Sequence, residues 1–405
     1  MIPKGWQRST LGEIARITSG GTPSRAEPSY WGGEVPWVTT GEIQFNIITE
    51  SVEKITEAGL KNSSAKLVPA GTLLMAMYGQ GKTRGQIAKL AIAASTNQNS
   101  AAILLNEGHE PDFFFHYLSS QYEKLREFGH SGGISHLNAG ILKQVYVPVP
   151  PLAEQRRIAC ILSTWDQAID ITERLLANSR KQKQALTRNL LLMPAQQEQW
   201  PRISINTITE RIQRRSTDGD NKLPVLMISS GSGFVRQDEK YGRFMAGKSV
   251  ENYVWLKKGE FAYNKGNSKL YEFGCVFPLI NHEEGVVPHV YVCFRFNDQC
   301  HPMFYEHLFA ADFLHDQLGA LVNTGVRNNG LLNIRPNDFF GCAVPLPSMK
   351  EQVRISNVLH EANEWIGRQE KILEALKQEK AALMAQLLTG KRRVHLPEPE
   401  LERAA

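Results

Sequence analysis

No apolar run in this 405-residue chain approaches the ~20 residues that cross a bilayer. The opening segment, MIPKGWQRSTLGEI, has no apolar core and does not read as a secretory signal. Cysteine is scarce: there are 5, scattered, with no C-x-x-C pair. That usage points to a reducing compartment, and the expected location is the cytoplasm. Neither sign of charge dominates. A formal net charge of +5 permits an anionic partner without demonstrating one.

Several catalytic signatures are missing too. There is no nucleophile elbow G-x-S-x-G. Methyl transfer from S-adenosylmethionine would need a Gly-rich nucleotide turn and an Asn/Asp-Pro-Pro-aromatic motif, and neither occurs. A nuclease needs clustered carboxylates and a lysine on one sheet edge. Pro111–Asp112 lacks a fitting Glu/Asp-x-Lys, and Asp112 reads as a helix start. His282, His289, Cys293, Cys300 and His301 do not have the spacings of a zinc finger or ribbon. Cys293, within VVPHVYVCFRF, reads as a core residue of a strand.

What the chain does have is one long stretch written twice. VPVPPLAEQRRI and its continuation, Val147 to Leu191, align without a gap on VPLPSMKEQVRI and its continuation, Val344 to Leu388, at an offset of 197 residues. Glu154, Gln155, Arg157, Ile158, Leu162, Glu173, Lys183 and Leu186 recur as Glu351, Gln352, Arg354, Ile355, Leu359, Glu370, Lys380 and Leu383. Both copies carry the 4-3 apolar spacing of a coiled-coil seam. The first seam runs Ile158, Leu162, Trp165, Ile169, Thr172, Leu176, Ser179, Lys183, Leu186. The second runs Ile355, Leu359, Ala362, Ile366, Gln369, Leu373, Leu376, Lys380, Leu383. The prolines that open each copy, at 148, 150 and 151 and at 345 and 347, stop the preceding strand and fix an extended entry. Two helices of ~60 Å, at 1.5 Å per residue, are longer than a small domain needs. They are expected to pair with each other.

The repeat divides the chain into 1–146, 147–193, 194–343 and 344–390, with 391–405 expected as a flexible tail. The two globular parts resemble each other more weakly. Each reads as a compact α+β domain with a polar turn, a Gly-rich loop, an amphipathic helix and a second Gly-rich loop. The amphipathic helices are expected at 106–128 and 302–321. An internal duplication of this kind predicts pseudo-twofold symmetry, which makes the long helices antiparallel.

AMYGQGKT, residues 76–83, resembles a loosened phosphate loop. A true one would follow a strand and open a helix, with Lys82 on the phosphates. A self-contained phosphate-loop ATPase, or a nuclease, is therefore the alternative enzyme reading, and a dimeric scaffold without any DNA role is a third. The residue reading favours base-edge contacts instead. Thr39, Thr40 and Gln44 lie in the first turn, answered by Ser229, Ser230 and Ser232. Tyr78, Gln80, Lys82, Thr83 and Arg84 form the second loop, answered by Asn264, Lys265, Asn267 and Lys269. Ser131, His136 and Asn138 lie in the third, answered by Arg327, Asn328 and Asn329. Arg and Lys suit guanine, Asn and Gln suit adenine, and Ser or Thr suit either.

The opening Trp6-x-x-x-x-Leu11-Gly12-Glu13-Ile14, then SGGTPS, YWGGEVPW and the doubled P-L-x-E-Q-x-x-I stretch resemble the specificity subunits of type I restriction–modification enzymes. The resemblance covers nearly the whole chain. The second half departs from it, since WPRISINTITERI lacks the G-E-I and YWGG elements. The resemblance implies two target-recognition domains joined by two long helices that pair as an antiparallel coiled coil. It implies a non-catalytic chain that binds double-stranded DNA at a bipartite asymmetric site. It implies two modification subunits, which use S-adenosylmethionine, and restriction subunits, which use ATP and Mg²⁺. No cofactor or metal is expected in this chain itself. The helices would serve as spacer and docking surface.

Overall fold

The structure is a computed structural model and describes residues 3–79, 81–128, 136–215, 223–241, 252–266, 268–322 and 332–396. The chain forms two compact units: Met1–Glu173 with Lys371–Ala405, and Arg174–Glu370. The long helices are therefore shared between the units and do not form a spacer domain of their own.

In the first unit, β1 (Gln7–Thr10) leads into a one-turn helix α1 (Leu11–Ile14) and β2 (Ala15–Ser19). Then come β3 (Trp31–Val38), β4 (Ile47–Ile48), β5 (Glu53–Ile55), α2 (Glu57–Lys61), β6 (Leu73–Ala76), β7 (Ile87–Leu90), β8 (Ser95–Thr96) and β9 (Ser100–Leu105). Helices α3 (Pro111–Ser120), α4 (Tyr122–Phe128) and α5 (Ala139–Lys143) precede β10 (Tyr146–Val149) and the long α6 (Leu152–Thr187). The central sheet has the order β2-β9-β6-β7-β4, beside a three-stranded sheet β5-β3-β8. β10 returns to pair antiparallel with β1.

A short π-helical stretch, Arg188–Leu192, and α7 (Met193–Gln196) follow α6. The second unit then repeats the plan. It contains β11 (Arg202–Ser204), α8 (Ile205–Ile208), β12 (Thr209–Arg211), the hairpin β13 (Leu226–Ser229) and β14 (Gly233–Arg236), and α9 (Gln237–Tyr241). Strands β15 (Val254–Lys257), β16 (Phe261–Asn264), β17 (Cys275–Pro278), β18 (Glu284–Val287) and β19 (Val292–Phe296) precede α10 (Pro302–Ala310). Helices α11 (His315–Leu321) and α12 (Pro336–Gly341), β20 (Ala343–Pro345) and the long α13 (Met349–Leu387) complete it. Its sheet order β12-β19-β16-β17 matches β2-β9-β6-β7 strand for strand, and β11 pairs β20 as β1 pairs β10. The duplication expected from sequence thus holds in topology. The units differ outside the shared sheet, where the first has β5-β3-β8 and the second has β13-β14 and β15-β18.

The 4-3 spacing sets the burial of both long helices. Ile158, Leu162, Leu176, Ser179, Ile355, Leu359 and Gln369 are buried. Trp165, Ile169, Lys183, Leu186, Ile366, Leu373, Lys380 and Leu383 are half-buried. Within the first unit the helix segments run antiparallel: Lys380 pairs with Asp166, and Lys377 lies 2.7 Å from Glu173. Leu387 and Leu388 share a core with Ile158 and Leu162. Within the second unit, Arg180 lies 2.6 Å from Glu370, and Leu186 and Leu190 pack with Ile355 and Leu359.

The doubled Glu-Gln motif anchors each helix to its domain. Gln155 accepts from the Glu110 N–H at 2.8 Å and donates to the Pro150 carbonyl at 2.7 Å. Gln352 accepts from the His301 N–H at 2.7 Å and donates to Pro347 at 2.9 Å. Glu110 and His301 are the N-cap residues of α3 and α10, which begin with Pro111 and Pro302. Each glutamine therefore satisfies an orphan helix-end donor. Behind them, Trp6 meets Phe113 edge-on at 6.3 Å, and Trp200 meets Phe304 at 6.1 Å.

Three expectations change. The helix expected over 106–128 starts at Pro111, which can only open a helix, and is interrupted at Gln121; its counterpart breaks between Ala310 and His315. Residues 391–396 are not a loose tail. Arg393 pairs with the buried Glu154 and donates to the Lys4 carbonyl, and Leu396 is buried. Residues 397–405 lie outside the described residues. Among the described residues no helix is long and apolar enough to cross a membrane.

Candidate nucleic-acid interface

The GQGKT loop joins β6 to β7, which pair antiparallel. It is a hairpin connection with no helix after it, so the helix N-terminus on which a phosphate loop depends does not exist here. Gly79, Gly81 and Gly85 have φ of 134°, 88° and 86°, and this requirement of the tight hairpin explains the glycines. Asp112, the residue considered for nuclease chemistry, is in the first turn of α3 and pairs with Lys89 of β7. Cys293 is buried in β19, and burial pushes its thiol up to about 12.

In the first unit α4 ties the first two expected loops together, and His136 of the third stacks on the second. The Tyr122 hydroxyl donates to the Lys82 carbonyl at 2.5 Å. Arg126, one turn on, donates to the Gly81 carbonyl at 2.6 Å and to the Tyr122 hydroxyl at 3.2 Å. Phe45, from the first loop, meets Tyr122 edge-on at 5.1 Å. Tyr78 stacks on His136 of the third loop, with centroids 4.6 Å apart and planes 11° off parallel.

The candidate residues sort by what their side chains already do. Gln44, Tyr78 and Lys82 are exposed, and His136 and Thr83 are half-buried. Thr39 forms a capping box with Glu42, its hydroxyl donating at 2.8 Å, and Thr40 is bonded to Asn97 at 3.1 Å. Asn138 caps α5 by accepting from the Ile141 N–H at 2.9 Å. Arg84 is only 5% exposed and donates to the Arg126 carbonyl at 3.3 Å. Arg84 and Asn138 are therefore scaffold and not base-reading groups. Their turn and capping roles use the same side chains that base recognition would. Gln80 and Ser131 lie outside the described residues.

In the second unit, Ser229 and Ser230 are half-buried and Ser232 exposed in the β13–β14 turn, which closes by Ser232 N–H to Ser229 carbonyl at 3.1 Å. Asn264 accepts from the Gly266 N–H at 3.0 Å, and Lys265 donates to the Ile334 carbonyl at 3.2 Å. Both are internal ties, a correction to their expected roles. Lys269 is exposed. Asn267, Arg327, Asn328 and Asn329 lie outside the described residues. Leu270, 65% exposed, adjoins the β13–β14 turn, since a Cβ on Gly231 would lie 3.9 Å from it.

Sequence reasoning missed Phe45, Tyr122, Arg126 and Leu270. Tyr122 falls within the amphipathic helix expected over 106–128. The i, i+4 pair Tyr122–Arg126 just behind a Gly-rich loop was the available signal.

Residues 3–178 match the family model described as type I restriction modification DNA specificity domain. The MjaIX specificity subunit of Methanocaldococcus jannaschii is 29% identical over 193 residues, covering 46% of this chain and 42% of that one. The EcoR124I/EcoR124II specificity subunit of Escherichia coli is 30% identical over 171 residues, covering 41% and 42%. The chain thus aligns with about two-fifths of the length of these relatives. The MjaVIII specificity subunit of M. jannaschii is 21% identical over 419 residues, covering 97% and 94%. Among solved structures, the S subunit from M. genitalium superposes with a TM-score of 0.60 at 14% identity, covering 98% of this chain and 97% of that one. The HsdS subunit from Thermoanaerobacter tengcongensis gives 0.50 at 17% identity, covering 96% and 98%. The fold is that of these solved structures, and residues 3–178 are similar to the type I restriction modification DNA specificity domain.

Proposed function

We propose that the chain reads a bipartite, asymmetric site in duplex DNA, one half-site per unit, and brings modification and restriction subunits to it. One observation carries this reading. The two units share a strand order and carry a polar loop at the matching β6–β7 and β16–β17 junctions, yet differ in the strands outside that shared sheet. One scaffold with two sets of contacts is what reading two different half-sites requires. The chain itself is non-catalytic. S-adenosylmethionine belongs to two modification subunits, and ATP and Mg²⁺ to the restriction subunits, in the cytoplasm. The seam residues are buried or half-buried along the two long helices. Ile171, Leu175, Trp365 and Ile372 lie off the seam and are exposed, and they are the apolar docking points that α6 and α13 offer a modification subunit.

The test is a map of methylated adenines in the host genome with and without this gene. One bipartite motif loses methylation on deletion. If methylation is unchanged everywhere in a host whose modification subunit is active, the reading fails.

A further inference from the structure

Phe45 is the one large aromatic side chain among the described residues that combines a left-handed backbone with solvent exposure: its φ is 57°, and it is 38% exposed. A bulky residue in that region is an outlier, and such strain persists only where surrounding structure over-determines it. Here it is over-determined. The Asn46 side chain accepts from the Gln44 N–H at 2.8 Å, and the Asn46 carbonyl accepts from Lys89 at 3.0 Å. Gln44 donates to the Gly41 carbonyl at 2.6 Å, and the Glu42 carboxylate accepts from the N–H of Thr39 at 2.7 Å and of Val52 at 3.0 Å. The loop is built to display the ring, and the ring's own burial does not account for the strain.

What surrounds the ring identifies its partner. Phe45 rests edge-on against Tyr122, which with Arg126 also holds the backbone of Gly81 and Lys82. The Arg126 guanidinium lies 5.2 Å from the Tyr122 ring centroid, and Lys82 is exposed on the adjoining loop. An apolar rim beside cations fits a polyanion that also offers apolar groups, which is duplex DNA. The ring is more than half covered, so it can touch an apolar group but cannot enter a base stack as a wedge. In the major groove the apolar group of a base edge is the thymine C5-methyl.

We propose that Phe45 is a specificity-determining residue of the first unit, contacting a thymine methyl in the half-site which that unit reads. The proposal rests on the DNA-reading function above. Gln44 and Lys82 flank this contact with polar and phosphate-directed groups.

The experiment uses the full chain in complex with its modification subunit, on duplexes carrying the motif found by methylation mapping, with each thymine replaced in turn by uracil, which lacks the methyl. The parent complex loses roughly fivefold to tenfold in affinity at one thymine of one half-site. Phe45→Gly removes that sensitivity and weakens binding to the thymine duplex by a similar factor. Because glycine accepts the left-handed backbone, relief of strain offsets part of the lost contact with Tyr122, and its melting temperature falls by a few degrees at most. Phe45→Leu keeps an apolar contact and retains the uracil sensitivity, which guards against a folding artefact. Absence of any uracil-sensitive position in the parent, or sensitivity retained in Phe45→Gly, overturns the proposal. So does a loss in Phe45→Gly that is equal on thymine and uracil duplexes in a parent lacking sensitivity. Failure to find any bipartite motif would overturn the DNA-reading function itself, and this contact with it.

Discussion

Lys380 forms an ion pair with Asp166 across the antiparallel helices of the first unit. The 197-residue repeat puts Lys183 and Asn363 at the same two places in the second unit. Lys183 is half-buried, makes no salt bridge among the described residues, and burial lowers its pKa. The two lysines occupy like surroundings, since each depresses the pKa of a buried histidine: Lys380 that of His116, Lys183 that of His307. Asn363→Asp should therefore stabilise the protein by about 1–2 kcal/mol at neutral pH, by adding a charge-assisted hydrogen bond to a half-buried ammonium. Lys183→Met should be neutral or stabilising. Lys380→Met should destabilise, because Asp166 loses its partner. Urea midpoints of the three variants check the ordering, and equal losses for both lysines would refute it.

His116 and His307 give the protein an acid limit. Burial, as the leading cause, pushes each from an ordinary 6.5 to about 4; for His116 the Asp166 carboxylate opposes this, and for His307 Lys183 and His360 add to it. Both are neutral in the folded chain at neutral pH. Between pH 6.5 and about 4 the unfolded chain binds protons that the folded chain does not, so stability falls as pH falls through that window and is level above it. Each histidine contributes up to ~3 kcal/mol to the loss. Melting temperatures at pH 7.5, 6.0 and 5.0 should decline. His116→Gln with His307→Gln should flatten the decline, though other groups contribute to it.

Gln155 and Gln352 are 1% and 0% exposed; Gln155 serves a backbone donor and a backbone acceptor, and Gln352 a backbone donor and two backbone acceptors. Replacing either by alanine leaves at least two backbone polar groups without their partner, at a cost of about 2–4 kcal/mol. The loss should be local. Gln155→Ala should raise amide exchange at Glu110, and Gln352→Ala at His301, each without affecting the other. Exchange measured by NMR or mass spectrometry separates this from a general loosening.

How much of this could be read from sequence follows the range of the interaction. The seam from Ile158 to Leu383 was legible because a 3.5-residue period is local, and burial follows it. The motif Gln155 was visible as a repeat. Its job was not, because its partner Glu110 is 45 residues away and is a backbone group. The loop candidates were chosen by residue type. That criterion cannot separate a side chain open to a ligand from one that caps a helix, as Asn138 does, or ties two segments, as Lys265 does. Phe45 was hidden for the opposite reason. Loop aromatics carry no periodicity, and only its backbone angle and exposure single it out.

Lys82 is exposed on a hairpin loop, so its expected role is a phosphate contact and not nucleotide hydrolysis. Lys82→Ala should weaken DNA binding of the assembled complex about equally on all duplexes. It should also reduce the slope of log affinity against log salt by about 0.9. ATP turnover by the lone chain, abolished by this substitution, would contradict that role.

The helix α6 is unbroken from Leu152 to Thr187 and belongs to the first unit up to Glu173 and to the second from Arg174. If this continuity sets the gap between half-sites, lengthening the helix should lengthen the gap and nothing else. Four residues inserted after Leu176 add about 6 Å at 1.5 Å per residue. That corresponds to about two base pairs at 3.4 Å each. A four-residue insertion in a 4-3 pattern is a stutter, which a helix pair absorbs by local unwinding without reversing its seam. The methylation motif of the variant should therefore keep both half-sites and gain one or two base pairs between them. A variant with an unchanged gap and altered half-sites would show that the helices hold the units without measuring the distance.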